Sequence, residues 1–154
     1  MEKTNINITL ATISEVDEVA MMFDLYRQFY RQASDIPGAN KFLSERISKN
    51  DSVIFIAKQS GECVGFVQCY PLFTSVEMKK LWLLNDLFVK AESRGKGISK
   101  MLIARCKELV HETDAKGLML ETEKSNVIGN KLYPQEGFAL NEGSNFYVWT
   151  DTNN

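Results

Sequence analysis

Arg94-Gly95-Lys96-Gly97-Ile98-Ser99-Lys100 concentrates the residue types that bind a phosphate. Glycine at two of these places lets the backbone turn tightly and lets a ligand approach without meeting a Cβ. Arg94, Lys96 and Lys100 surround the same spot with positive charge. An apolar run ending near Val89 leads in. Beyond it, spacing predicts a helix from about Gly97, with Ile98, Leu102, Cys106 and Leu109 on one face, Met101 beside it, and Lys100, Lys107 and Glu108 outside. The first N–H groups of a helix lack intrahelical partners and carry partial positive charge. Strand, glycine loop and helix start therefore read as a pyrophosphate cradle. The segment is not a Walker loop, since Gly-x-x-x-x-Gly-Lys-Ser/Thr cannot be fitted. Nor is it Gly-x-Gly-x-x-Gly, because Met101 to Ile103 hold no third glycine. On these residues alone, an ordinary basic turn before a helix explains the segment equally well.

The surrounding elements must hold that loop in place. Ile6, Ile8 and Leu10 alternate with Asn7 and Thr9, the period of a half-buried strand. A helix is expected from Ser14, with Ser14 as cap and Asp17 reaching back, continuing through Val19, Met22, Phe23, Tyr26 and Tyr30. Ser34 to Ala39, with Pro37-Gly38, reads as a loop, and a second helix is expected over Asn40–Lys49. Val53–Ala57 is a continuous apolar run, as in a strand covered on both faces. Ser60-Gly61 turns the chain into a returning strand, Cys63–Tyr70, which Pro71 ends or edges. After a loop near Thr74–Glu77 comes a long strand, Met78–Val89, then the glycine loop and central helix. Leu118–Glu121 is the next strand, and strand–helix–strand implies a right-handed crossover with parallel neighbours. A short helix near Asn126–Tyr133 and a hairpin of strands Phe138–Leu140 and Phe146–Thr150, turned at Asn141–Ser144, complete the chain.

Bulk composition bounds the answer. A length of 154 residues, 44% of them hydrophobic and 25% charged, predicts one soluble domain over residues 1–154. A net charge of −2 argues against broad nucleic-acid binding, which needs a basic face. Cys63, Cys69 and Cys106 lack Cys-x-x-Cys spacing and only His111 could join them, so no metal site is expected; they read as buried thiols in a reducing compartment. The opening Met1–Ile8 has no apolar signal region, and no run approaches a membrane span. A cytoplasmic protein is expected.

Val89 followed by Arg94-Gly95-Lys96-Gly97-Ile98 resembles motif A of the GCN5-related N-acetyltransferases, Arg/Gln-x-x-Gly-x-Gly/Ala. Arg94 and Gly97 take the first two places and Ser99, still small, the third. Downstream, Asn126 and Leu132-Tyr133-Pro134-Gln135-Glu136-Gly137-Phe138 are similar to the family's motif B, Asn…Leu-Tyr-x-x-x-Gly-Phe. Two motifs in order cover roughly residues 78–140 and are more specific than either alone. The resemblance implies an α/β acyl-CoA N-acyltransferase fold: a mostly antiparallel sheet of about seven strands with one parallel, splayed pair, and about four helices. It implies acetyl-CoA as cofactor. Backbone groups of Leu87, Phe88 and Val89 would pair with the pantetheine arm, the 94–100 segment would hold the diphosphate, and Asn126 would bond the cofactor or cap the following helix.

Acetyl transfer to an amine needs a neutral nitrogen, a polarised thioester carbonyl and a proton for the leaving thiolate. The family's motif B implies Tyr133 as that acid; a phenol of pKa about 10 lies close enough to a thiol of about 8.5 to exchange a proton. Pro134 pushes Tyr133 away from helical geometry, so the helix should kink there or end at Tyr133. Asn85-Asp86 stands where polyamine-acetylating relatives carry Glu-Asp, which makes Asp86 or a water chain the base. Strand alternation would send only one of the pair into the cleft. Glu77 and Glu121 are alternatives. Tyr26, Phe29, Tyr30 and Asp35, from the first helix pair and its loop, are candidate acceptor contacts, with Asn85 and Glu121. The resemblance thus points to direct attack by a small amine, polyamine or lysine-bearing acceptor in a ternary complex, with a homodimer possible. An inert acyl-CoA-binding or regulatory module is the alternative, and a nucleotide-binding domain a more distant one.

Overall fold

A computed structural model describes residues 5–154. Met1–Thr4, part of the stretch read for a secretion signal, lie outside the described residues. Strand β1 (Ile6–Leu10) is followed by helices α1 (Val16–Phe29) and α2 (Ile36–Ser48) and by the meander β2 (Val53–Gln59), β3 (Glu62–Thr74) and β4 (Lys79–Val89). Helix α3 (Ile98–Glu112) and a two-residue β5 (Leu118–Met119) come next, then α4 (Val127–Gln135). The sheet order is β1-β2-β3-β4-β5, antiparallel except for the parallel β4–β5 pair. The first compact unit ends at Glu121 and the second is Thr122–Asn154.

Local chemistry moves several boundaries. The first helical turn starts earlier than Ser14: Thr12 caps a short 3-10 turn, Ile13–Glu15, and the Glu15 carboxylate accepts from Thr12 N–H at 2.7 Å, a reciprocal capping box. Helix α2 starts at Ile36 instead of Asn40. Pro37 is tolerated in a first turn, where its missing N–H would be unpaired anyway, and Asp35 Oδ1 accepts from Gly38 N–H at 2.9 Å. Strand β3 runs through Pro71 to Thr74; β2 has ended opposite Cys69, so proline stands on a local edge where no N–H is needed. The expected strands Phe138–Leu140 and Phe146–Thr150 form no ladder, leaving five strands among the described residues in place of about seven. Alternating apolar residues prepare a strand, but only a partner's N–H and C=O groups make one.

Two apolar layers cover the sheet. Val19, Ala20, Met22 and Phe23 of α1 and Leu43 of α2 pack on Ile54, Ile56 and Phe66, with Phe88 against them. On the other face, the expected stripe of α3 is buried: Ile98, Leu102, Cys106 and Leu109, with Cys106 Sγ 3.5 Å from Cys69 Sγ of β3. All three cysteines are free and buried. Among the described residues, no helix is long and apolar enough to cross a membrane, and no cluster could hold a metal ion.

The connection between α1 and α2 is tied to one buried carboxylate. Asp24 accepts from Asp35 N–H (2.7 Å), Ser34 Oγ (2.7 Å) and Gln28 Nε2 (2.9 Å). Burial alone would raise its pKa, but these donors, with Arg27 nearby, outweigh burial and hold it below the usual carboxylate range. Asp24→Ala should therefore cost about 2 kcal/mol, because buried donors lose their acceptor. The depressed folded pKa means that Asp24's contribution is present above its unfolded value, about 3.9, and lost as pH falls through the folded one. Urea melts of both chains at neutral and acid pH should show the gap closing on acidification.

Candidate active site

The carboxyl-terminal half of β4 is unzipped. Its parallel pairing with β5 consists of Trp82↔Leu118 and Leu83↔Met119, so among the described residues β4 pairs only with β3 from Leu84 onward. Lys90 N–H donates to Val64 O at 2.8 Å, which fixes the phase of the antiparallel ladder. By alternation, Phe88 turns its backbone groups to β3, while Leu87 and Val89 turn theirs to the open side. Of the three residues expected to offer backbone groups there, Phe88 instead contributes its ring to the α1-side core. Arg94 Nε–H donates to Val89 O at 2.9 Å, and its guanidinium lies 5.6 Å from the Phe88 ring centre. The first motif residue thus ties the glycine loop to the end of β4.

Gly95 and Gly97 both take positive φ, 78° and 77°. This left-handed geometry suits glycine and explains the pair. Gly97 is the N-cap of α3 and has no side chain to satisfy the first turn. The N–H groups at Ile98, Ser99 and Lys100 therefore begin the helix without a side-chain cap, the electrostatic setting an anion favours. Ile98 is buried and anchors the turn, Ser99 is half-buried, and Lys96 and Lys100 are exposed.

A β-bulge organises the second cluster. Gln68 pairs with Asp86 and Cys69 with Leu84, leaving Asn85 unopposed on β4. Alternation does not separate Asn85 from Asp86, as the sequence suggested: the bulge sets them side by side, with Asn85 Nδ2 donating to Asp86 Oδ1 at 3.0 Å. Gln68 Nε2 donates to Asp86 Oδ2 at 2.5 Å. From α1, the Tyr26 hydroxyl donates to Asn85 O at 3.2 Å and also hydrogen-bonds the Asp86 carboxyl. The Tyr30 ring packs edge-on against Tyr26, with 5.1 Å between centroids. Asp86 is only 3% exposed, and no Lys, Arg or His among the described residues forms an ion pair with it. Burial pushes its carboxyl above the usual range; bonds from Gln68, Tyr26 and Asn85 offset this only in part. A raised carboxylate pKa suits proton transfer near neutral pH.

Tyr26, Tyr30, Asn85 and Asp86 are thus brought together. Asp35 is engaged as the α2 cap, Glu77 pairs with Lys116, and Glu121 is an exposed residue closing the first unit. Sequence reasoning missed Gln68, although an amide inside the apolar run Cys63–Cys69 was a visible signal. It also missed the bulge, which leaves no mark in residue type.

The second unit contains motif B. Asn126 Oδ1 accepts from Gly129 N–H at 3.0 Å and its Nδ2 donates to Thr122 Oγ1 at 2.9 Å, so both ends of this amide serve the start of α4. Helix α4 neither ends at Tyr133 nor breaks at Pro134, but continues to Gln135. It closes in a Schellman motif: Phe138 N–H donates to Tyr133 O (3.0 Å), Gly137 N–H to Pro134 O (3.1 Å), and Gly137 has φ of 89°. The accompanying apolar contact is Tyr133 on Phe138, edge-on with 5.8 Å between centroids. The Leu-Tyr-x-x-x-Gly-Phe spacing is therefore a helix stop that fixes the tyrosine ring, and Pro134 fits within it.

Comparison with known proteins bears on family and fold. The family model described as "Acetyltransferase (GNAT) family" matches residues 19–138. The Bacillus subtilis (strain 168) protein "Uncharacterized N-acetyltransferase YhfO" is 44% identical over 137 residues, 89% of this chain and 92% of that one. A "Probable acetyltransferase" of Haemophilus influenzae is 32% identical over 127 residues, covering 82% and 85% of the two chains. The crystal structure of a probable acetyltransferase superposes with a TM-score of 0.90 at 32% identity, over 95% of this chain and 98% of that chain. An aminoglycoside N-acetyltransferase in complex with CoA shares the fold, with a TM-score of 0.80 at 18% identity over 94% and 95% of the chains. With the unzipped β4, the glycine-capped α3 and these matches in hand, the chain is an N-acetyltransferase that belongs to the acetyltransferase (GNAT) family.

Proposed function

We propose that this chain transfers the acetyl group of acetyl-CoA to a primary amine (a small amine, a polyamine-like molecule or a lysine side chain) by direct attack in a ternary complex. The observation that carries this reading is the open edge of β4 running straight into the positive-φ glycines before α3. In the proposal, Leu87 and Val89 offer backbone groups to the amides of the pantetheine arm. The 94–100 segment holds the diphosphate through main-chain N–H groups, with charge from Arg94, Lys96 and Lys100. A backbone N–H on the open edge polarises the thioester carbonyl. Asp86 receives the acceptor's proton, with Tyr26 as the way in, and Tyr133 donates a proton to the departing thiolate. The family match across residues 19–138 supports the two units acting as one acetyltransferase domain. Three free, buried thiols suit a reducing, cytoplasmic setting.

Thiol release from acetyl-CoA across a panel of diamines, polyamines, aminoglycosides and lysine peptides tests the reading. Turnover with at least one class is expected; coenzyme binding with no turnover across the panel would leave a binding module in its place. Calorimetry tests the cradle separately. At Gly97, a Cβ would meet no protein atom within 4 Å, so Gly97→Ala acts on the unliganded chain through backbone strain and on a bound ligand through the added methyl group. A left-handed alanine costs about 1–2 kcal/mol. The strain and the added methyl group should together lower CoA affinity about tenfold, with little change in secondary structure. Undiminished affinity would move the diphosphate elsewhere.

A further inference from the structure

Gln68 is an amide in the middle of an apolar, fully buried stretch of β3. Its Nε2 donates to Asp86, but its Oε1, shielded from solvent, has no hydrogen-bond partner among the described residues. A buried polar atom left unpaired costs about 1–3 kcal/mol. Packing alone would be served better by an apolar side chain of the same volume. The orphaned oxygen stands within one amide group of the carboxyl to which we assign the acceptor's proton, and that placement suggests its use.

We propose that Gln68 is a positioning residue for acetyl transfer: it holds the Asp86 carboxylate through Nε2, and by a half-turn of its amide accepts the Asp86 O–H through Oε1 once the acceptor's proton has arrived. This rests on the reading of Asp86 as proton acceptor given above. The step balances as a proton relay. An acceptor R–NH3⁺ gives a proton to the Tyr26 oxygen while the Tyr26 hydroxyl proton passes to Asp86, leaving R–NH2, neutral Tyr26 and a neutral carboxylic acid. An ionised carboxylate only accepts hydrogen bonds, whereas the acid also needs an acceptor for its O–H. A lysine at position 68 would serve the first state and a leucine neither; an amide serves both.

The groups that face Asp86 are few. Tyr26 comes from α1, Tyr70 and Cys69 from β3, and Asn85 from β4 itself. Gln68 also donates to the Tyr70 oxygen; burial first, then the nearby Asp86 charge, push the Tyr70 phenol upward, so it stays neutral. Arg46 and Asp51 act on Tyr70 with opposite sign. Within this set, burial holds Tyr70 neutral and the bond to Cys106, with burial, holds Cys69 neutral, which leaves Asp86 as the group that changes charge.

Gln68→Met keeps the volume and removes both polar ends. The decisive readout is a carbon-13 NMR titration of the Asp86 carboxyl, assigned by its loss in Asp86→Asn, beside the acid limb of kcat/KM against pH. With the charge-assisted Nε2 bond gone, both should move up together by about one pH unit. The kcat should fall about tenfold, with KM for acetyl-CoA unchanged. If the Met variant does not fold, Gln68→Glu keeps length and polarity, and two carboxyls sharing a proton should move the limb further up. A folded variant with the Asp86 titration and the limb both unmoved overturns the role of Gln68. Absence of turnover in the unsubstituted chain overturns the amine-transfer reading instead, and the NMR titration still decides whether Gln68 governs Asp86.

Discussion

Tyr133→Phe is expected to lower kcat about 10²-fold at neutral pH, the usual scale for losing a positioned general acid. The substitution is well defined because of how α4 ends. The ring of residue 133 forms the apolar contact of the Schellman motif with Phe138, and phenylalanine preserves that contact. Folding and the helix stop should be intact, so loss of activity would report the hydroxyl alone. A leaving thiolate that needs its proton from Tyr133 should also become less sensitive to its acid when the leaving group is intrinsically better. An activated acyl donor with a low-pKa thiol should therefore recover much of the rate in Tyr133→Phe. Equal rates for the two chains with acetyl-CoA would remove Tyr133 from the chemistry and leave it as the residue that stops α4.

Asp86→Asn should lower kcat/KM about 10²- to 10³-fold, and it carries a stability signature of definite sign. Burial holds the folded pKa above the unfolded value of about 3.9, so the folded chain keeps a proton that the unfolded chain releases. The stabilisation from Asp86 is fully present below that unfolded value and is lost as pH rises through the folded one. Asparagine does not titrate, so the variant should gain on the parent chain across this window. Asp24 has the opposite dependence, its contribution failing toward acid. Chemical denaturation of parent and variant at a series of pH values separates the two, and a variant that lost ground to the parent as pH rose would contradict a buried, raised carboxyl at position 86. The asparagine also presents an N–H₂ to Gln68, which can meet it only by turning Oε1 inward.

Much of this architecture was legible in residue order. The period of three and four in Ile98, Leu102, Cys106 and Leu109 marks a helix face because one side of α3 must pack on the sheet, and all four are buried. The Gly95 and Gly97 pair marks a backbone turn that side-chain-bearing residues adopt at a cost, and both have positive φ. The stop at Gly137-Phe138 is equally local, but it went unread: Pro134 drew the expected end of the helix back to Tyr133, whereas α4 runs on to Gln135. These features depend on neighbours within a few residues, so sequence determines them.

What sequence alone could not decide depends on partners far away along the chain. Whether Phe146–Thr150 becomes a strand rests on another backbone offering its hydrogen bonds, and alternation cannot supply one. The bulge at Asn85 arises from the register of β3 against β4, where one unopposed residue reverses the facing that simple alternation assigns. The raised pKa of the Asp86 carboxyl follows from burial beneath Tyr26 and beside Gln68, residues separated from it by 60 and 18 positions in the printed order. Desolvation is a property of the assembled interior: an aspartate is the same letter in water and in a core, and only the folded chain sets which of the two it occupies.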